Sequence, residues 1–191
     1  MSKHFLEIQK GNFIASEKNK VNDVNLIIEE QGQIISLLGP SGIGKTTILR
    51  TLAGLQKLNS GKIFLKGKLI ASSKVHIEPE KRNIALSFQD NSLFPNYKVI
   101  DNINFGKKRS NGNGFSLDTK EIIELLHLDP ILNKFPHQIS AGEAQRVSIA
   151  RSLISKPDLL LLDEPFSNID QSLKEEIQIS IKKLLKRINL T

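Results

Sequence analysis

The sequence predicts an α/β fold, and three observations carry that prediction. An apolar run made by Ile34, Ile35, Leu37 and Leu38 leads straight into a glycine-rich loop and then into residues at helical spacing. A second run, Leu159-Leu160-Leu161-Leu162, ends on the acidic pair Asp163-Glu164. Between them, from Val99 to Leu153, the apolar residues recur mostly at helical spacing. Short runs without polar interruption are the pattern of strands buried on both faces of a parallel sheet. The sequence therefore predicts such a sheet with helices around it.

In chain order, Phe5, Leu6 and Ile8 and then Val24, Leu26 and Ile28 read as two strands joined by a turn. Ile34 to Leu38 reads as a fully buried strand ending at Gly39. From Gly44 to Leu52, Ile48, Leu49 and Leu52 fall at helical spacing, and Gly54 is placed to stop that helix. Gly61 to Ile70 alternates around Lys66-Gly67-Lys68 as a hairpin, and Asn83 to Phe88 reads as one more short strand. Lys107 to Gly114 has the composition of a surface loop. Ser172 to Ile188 closes the chain as an amphipathic helix with Leu173, Ile177, Ile181, Leu184 and Leu185 on its apolar side. No internal repeat or low-complexity tract interrupts this order.

The chain has 191 residues, of which 39% are hydrophobic and 25% charged, a balance suited to one folded domain rather than a disordered chain. No apolar run reaches the roughly 18–20 residues that span a bilayer, and Met1-Ser2-Lys3-His4-Phe5 lacks the apolar segment of a secretory signal. The expectation is a protein that stays on the side of the membrane where it is made. The absence of cysteine excludes disulfides, thiolate metal sites and cysteine nucleophiles. A net charge of +7 raises nucleic acid as a partner, but the lysines are scattered and read as solvated surface. Nucleic acid is therefore not expected.

Three segments carry chemistry. Gly39-Pro40-Ser41-Gly42-Ile43-Gly44-Lys45-Thr46 fits the phosphate-loop pattern. Its glycines let successive N–H groups point inward, the following helix adds its positive end, and Lys45 reaches the β- and γ-phosphates. Thr46 sets a hydroxyl where Mg²⁺ bridges those phosphates, and Thr47 is counted with the loop as an ATP-binding residue. In the second segment, Asp163 would hold Mg²⁺ and Glu164 would orient or deprotonate an attacking water. The third is Ile139-Ser140-Ala141-Gly142-Glu143-Ala144-Gln145-Arg146. Ser140 and Glu143 have the spacing of a capping box, and a capped helix start with a small residue at Gly142 is also an anion site. Sequence physics does not choose between these two readings.

In this order the residues resemble the ATP-binding subunits of ABC transporters along essentially the whole chain. Gly39 to Thr46 is similar to the Walker A loop, Leu159 to Glu164 to the Walker B strand, and Ile139 to Glu143 to the LSGGQ-type signature. Gln89 in Ser87-Phe88-Gln89-Asp90 resembles the Q-loop glutamine, which implies a place at the Mg²⁺ site, in catalysis with Glu164 and in coupling to the membrane partner. Ser167-Asn168-Ile169-Asp170 resembles the D-loop, which implies that Ser167 and Asp170 lie at a dimer interface.

The resemblance implies a P-loop NTPase core with an N-terminal antiparallel β subdomain and an inserted α-helical subdomain at residues 90–155, all within one ATP-binding domain spanning 1–191. It also implies two copies paired head to tail, with Ser140, Ala141, Gly142 and Glu143 of one closing over the γ-phosphate held by the other. MgATP, transmembrane permease subunits and, indirectly, a solute-binding protein are the implied partners. The implied place is peripheral, on the cytoplasmic face of the inner membrane. Pro79-Glu80-Lys81-Arg82-Asn83-Ile84, Leu93-Phe94-Pro95, Asn102-Ile103 and Phe105-Gly106 resemble the importer branch for ferric iron, polyamine, sulfate and thiamine. Asp163 to Asp170 leans toward its ferric-iron members.

The chain departs from the family pattern in three places. Ala141 replaces the first signature glycine, and its methyl is harmless if the position is helical. The aromatic residue that stacks on adenine is expected near Ala15, where Phe13 is the nearest ring. His4, His76, His127 and His137 all precede Asp163, so none matches the family's switch histidine, and the resemblance implies a C-terminally truncated chain. Two other readings use the same motifs: a soluble ABC ATPase of translation or DNA repair, and a module that binds nucleotide without hydrolysing it.

Overall fold

The computed structural model describes residues 3–14, 20–88, 93–108 and 117–191. It divides into two compact units, Met1–Ile84 with Thr191, and Ala85–Leu190. Gln89, Ala15 and most of the expected loop at 107–114 lie outside the described residues.

The first unit is built on a four-stranded antiparallel sheet in the order β2-β1-β3-β4, from β1 (Leu6–Ile14), β2 (Lys20–Ile28), β3 (Ser60–Leu65) and β4 (Lys68–Ser72). Alternation in β1 sends Leu6 and Ile8 inward, and they join Phe13, Ile63, Leu65 and Ile70 in its core. The hairpin expected around Lys66-Gly67 is present, and both residues have positive φ, 50° and 73°. That is the backbone of a two-residue turn whose twist matches the flanking strands.

Helix α1 (Lys45–Ala53) buries Leu49, Leu52 and Ala53. It ends as expected at Gly54, which has φ 85° and donates its N–H to carbonyls of the last turn. Beyond that turn Arg82, 3% exposed, donates to the carbonyls of Thr51 and Leu52 at 2.7 and 2.8 Å and to that of Ile77 at 2.6 Å. A buried cation thus satisfies the orphan carbonyls at the negative end of α1. Burial weakens the hold of Arg82 on its proton, and Glu78 opposes that effect.

One sequence expectation fails in this unit. Ile34 to Leu38 forms no strand, and Ile34, Ile35, Leu37 and Leu38 are exposed, Leu38 by 91%. An apolar run specifies a wish for burial, but a strand exists only through ladder bonds to a neighbour. All four strands of this unit pair antiparallel among themselves, and none lies beside residues 34–38 as a parallel partner.

The second unit is mostly helical, with α2 (Val99–Lys108), α3 (Thr119–Leu125), α4 (Ala141–Ile154) and α5 (Gln171–Arg187). It also holds a two-stranded sheet of β5 (Ile84–Ser87) and β6 (Leu159–Leu162). The expected strands at 83–88 and 159–162 and the expected final helix are therefore present. Lys107 and Lys108 end α2 rather than opening a loop, because the helical run from Val99 continues through them.

Helix α4 is buried on nearly all sides, from Gln145 through Ala150 and again at Ser152, Leu153 and Ile154. A helix with no solvent face is the core of its unit, and Ile103, Ile122, Leu126 and Ile177 pack in the same cluster. Between α2 and α4 the backbones approach so closely that a Cβ on Gly106 would stand 2.2 Å from the Arg151 carbonyl oxygen.

Candidate functional site

The glycine-rich loop precedes α1 as the sequence predicts. Gly39, Gly42 and Gly44 have φ of 155°, 80° and 107°, and Ile43 donates its N–H to the Pro40 carbonyl at 3.4 Å. Gly44 is the N-cap, where the left-handed backbone disfavours any side chain, and a Cβ there would stand 2.3 Å from the Val21 Cγ2. At Gly42 a Cβ would meet nothing within 4 Å, so this side of the loop is open space.

Lys45 donates to the carbonyls of Gly39 and Pro40 at 2.7 and 2.9 Å. Its ammonium is thus held over the loop by the loop's own main chain. Ser41 and Ile43 are exposed and Thr46 is half-buried, whereas Thr47 is buried and its carbonyl accepts from the Thr51 hydroxyl at 2.8 Å. Phe13 is 1% exposed, so its ring offers no face for an adenine.

In the second unit the acidic pair sits at the end of β6. Asp163 is 8% exposed, and its N–H bonds the Ser87 carbonyl at 3.1 Å, tying it to the end of β5. Glu164 follows with φ 47°, a left-handed backbone in a residue that rarely adopts it, and it is exposed. Its carbonyl accepts the Ser167 N–H at 3.2 Å, which closes the turn into residues 167–170. Ser167 and Asp170 are exposed on that turn, while Ile169 is buried.

The capping box at α4 forms as the spacing predicts. Glu143 donates its N–H to the Ser140 Oγ at 3.2 Å, and Glu143 Oε2 accepts the Ser140 N–H at 2.7 Å. That backbone bond is the main reason the Glu143 carboxyl is held below the ordinary carboxylate range. Ala141 is the first residue of the helix, so its methyl sits in ordinary helical backbone. Gly142 is needed for space: a Cβ would stand 2.5 Å from the Asn168 carbonyl oxygen.

Two residues of the signature segment do more than its sequence suggests. Gln145, fully buried, donates to the Glu164 carbonyl at 2.9 Å and to the Ser167 Oγ at 3.2 Å, and accepts the Asn168 N–H at 3.1 Å. Arg146 is 9% exposed with a buried Nε that has no hydrogen-bond partner. Burial lowers its pKa while Glu143 and Asp170 pull it back up. A polar pair inside a helix otherwise carrying Val147, Ile149 and Leu153 is the signal in the sequence that these side chains have partners.

Asn102, also fully buried, organises the aromatic segment ahead of α2. It accepts the Phe94 N–H at 2.9 Å and donates to the carbonyls of Phe94, Tyr97 and Lys98. Phe94 stacks at a tilt on Phe105 with ring centres 4.5 Å apart, and the Arg151 guanidinium lies 5.4 Å from its centre. Phe94 and Tyr97 remain 37% and 44% exposed.

The family model described as ABC transporter matches residues 21–167. The chain is 43% identical over 173 residues to the spermidine/putrescine import ATP-binding protein PotA of Nitrosospira multiformis, covering 90% of this chain and 46% of that protein. It is 37% identical over 191 residues to the Fe(3+) ions import ATP-binding protein FbpC of Escherichia coli O157:H7, covering 99% of this chain and 53% of that one. The chain thus spans about half the length of the curated relatives it matches. Among solved structures, the dimeric post-hydrolysis state of the ATP-binding cassette MJ0796 bound to ADP and Pi superposes with a TM-score of 0.80 at 25% identity. That match covers 96% of this chain and 84% of the cassette, and with it the expected α/β P-loop NTPase fold is met. The chain belongs to the ABC transporter family.

Proposed function

We propose that this chain is the part of an import transporter that binds and hydrolyses MgATP, as a single cassette whose residues 90–155 form its helical portion. The observation that carries the reading is the loop at Gly39–Thr46, where Gly42 faces open space and the carbonyls of Gly39 and Pro40 hold the Lys45 ammonium. Phosphate oxygens are better acceptors for that ammonium than the two carbonyls that hold it, because a charged acceptor strengthens the bond. The Thr46 hydroxyl and Asp163 carboxylate are hard oxygen donors of the kind Mg²⁺ takes, and Gln89 is assigned with them. Bound Mg²⁺ would neutralise charge developing on the phosphates.

Hydrolysis then needs a water that attacks the γ-phosphorus as the bond to the β-bridging oxygen breaks, leaving ADP and phosphate. Glu164 takes the proton of that water, which Gln89 helps to orient. Ser140, Ala141, Gly142 and Glu143 receive the γ-phosphate of a second copy, with Ser167 and Asp170 at the interface between copies; the dimeric cassette structure supports this pairing. The exposed aromatic pair Phe94 and Tyr97 supports a docking role for residues 92–103 on a transmembrane permease at the cytoplasmic face, with a solute-binding protein acting through it. Likeness to FbpC over 99% of this chain, together with residues 163–170, makes ferric iron the solute to test first, with the polyamine of PotA as the alternative.

The test is equilibrium titration with MgATP. Lys45→Ala removes a charge-assisted contact of about 1.5–3 kcal/mol, so affinity falls about tenfold or more. Equal affinity in wild type and variant would reject the assignment of the loop.

A further inference from the structure

We propose that Gln145 is a positioning residue that fixes the backbone of Glu164 and makes the start of α4 and the hydrolytic end of β6 one mechanical piece. The inference rests on the ATPase reading of Glu164 but stands on geometry within the second unit. The Gln145 amide makes three hydrogen bonds to this turn: two N–H donations, to the Glu164 carbonyl and the Ser167 hydroxyl, and one acceptance from the Asn168 N–H. The amide orientation follows from the partners, since a flipped amide would set its NH₂ against the Asn168 N–H and its oxygen against the Glu164 carbonyl.

The residue it holds is the one in need of holding. Glu164 has φ 47°, a backbone state that persists in a non-glycine residue only when its surroundings over-determine it. Its carbonyl is pinned twice, by the Ser167 N–H and by Gln145. A second observation ties the same two segments together. Gly142, one turn before Gln145, lies so close to the Asn168 carbonyl that no Cβ fits between them. The first two turns of α4 therefore touch the 164–168 turn at two points, once at Gly142 and once through the buried Gln145 side chain.

The consequence is a coupling within one chain. Movement of the α4 N-terminus, where Ser140 and Gly142 would take an anion, shifts the Glu164 backbone rather than being absorbed by a loop. A misplacement of about 1 Å at a reacting group reduces rate on the order of a hundredfold. Gln145 itself touches neither nucleotide nor water in this proposal.

The experiment uses the full-length protein with its transport partners. Gln145→Met keeps the volume and removes all three bonds, whereas Gln145→Glu keeps an acceptor for the Asn168 N–H and loses the donor to the Glu164 carbonyl. Hydrogen exchange at the Asn168 amide should rise about fivefold or more in Gln145→Met and stay near wild type in Gln145→Glu. Single-turnover hydrolysis should fall about tenfold or more in both, with ATP affinity and KM within about twofold of wild type. In a Glu164→Gln background Gln145→Met should add less than about twofold, because the residue acts through Glu164.

Unchanged exchange at Asn168 in Gln145→Met overturns the bridge whether or not the protein hydrolyses ATP. Unchanged turnover in Gln145→Met, or an equal loss with and without Glu164, overturns the positioning role. A wild type that binds ATP and never hydrolyses it removes the role of Glu164 and with it this proposal's function, a result distinguishable from the exchange measurement.

Discussion

The helix starts at α1 and α4 are finished differently. At α1 the N-cap is Gly44 with φ 107° and no side-chain cap, and the nearest charge is the Lys45 ammonium held on the carbonyls of Gly39 and Pro40. At α4 the N-cap is Ser140, whose side chain and backbone both bond Glu143, and a buried Gln145 braces the next turn. The first has no side-chain cap on its N–H groups. The second satisfies part of its own terminus. In the function proposed above, the uncapped start cradles phosphate and the capped one receives it from a second copy.

The largest effect that would break this contrast is expected at Gly142. In Gly142→Ala the added Cβ meets the Asn168 carbonyl at 2.5 Å. Overpacking against backbone costs about 1–3 kcal/mol. Better helix propensity offsets about 1 kcal/mol of that at most. Thermal unfolding should show a net loss of stability, and a stabilised variant would mean that the first turn of α4 is not braced as described.

Ser140→Ala removes the side-chain half of the cap and should lower stability by about 0.5–2 kcal/mol, read from denaturant midpoints. No such change is available at Gly44, because nothing there caps with a side chain.

The smallest effect is a pH dependence confined to α4. The Glu143 carboxyl is held below the ordinary carboxylate range, first by the Ser140 N–H. Its contribution is therefore complete above that range and is lost as pH falls through its depressed pKa. The stability difference between wild type and Glu143→Gln should shrink as the solution is acidified, and a constant difference from neutral to acid would contradict the cap's charge. Glu143 is only half-buried, so screening keeps this effect small.

The same contrast explains what the sequence disclosed. The glycine-rich loop before α1, the stop at Gly54 and the Ser140–Glu143 box are local, each written within a few residues, and each forms where expected. The acidic end of β6 was legible for the same reason. The Gln145 bridge spans 19 to 23 residues, and only the oddity of a glutamine in an apolar helix hints at it. Asn102 and Arg82 act likewise, as buried polar side chains whose partners are backbone carbonyls that leave no trace in a residue pattern. Ile34 to Leu38 fails in the opposite sense, since apolar character predicts burial but not the neighbour that a strand requires.

Turnover by Glu164→Gln in the assembled transporter tests the proposed role of Glu164 toward ATP bound at Gly39–Thr46. General-base catalysis contributes about 10²–10⁴ in rate. Single-turnover hydrolysis should fall by that order while MgATP affinity stays near wild type. Turnover within about threefold of wild type at saturating MgATP would contradict it, because a rate so little changed leaves Glu164 no part in the chemistry.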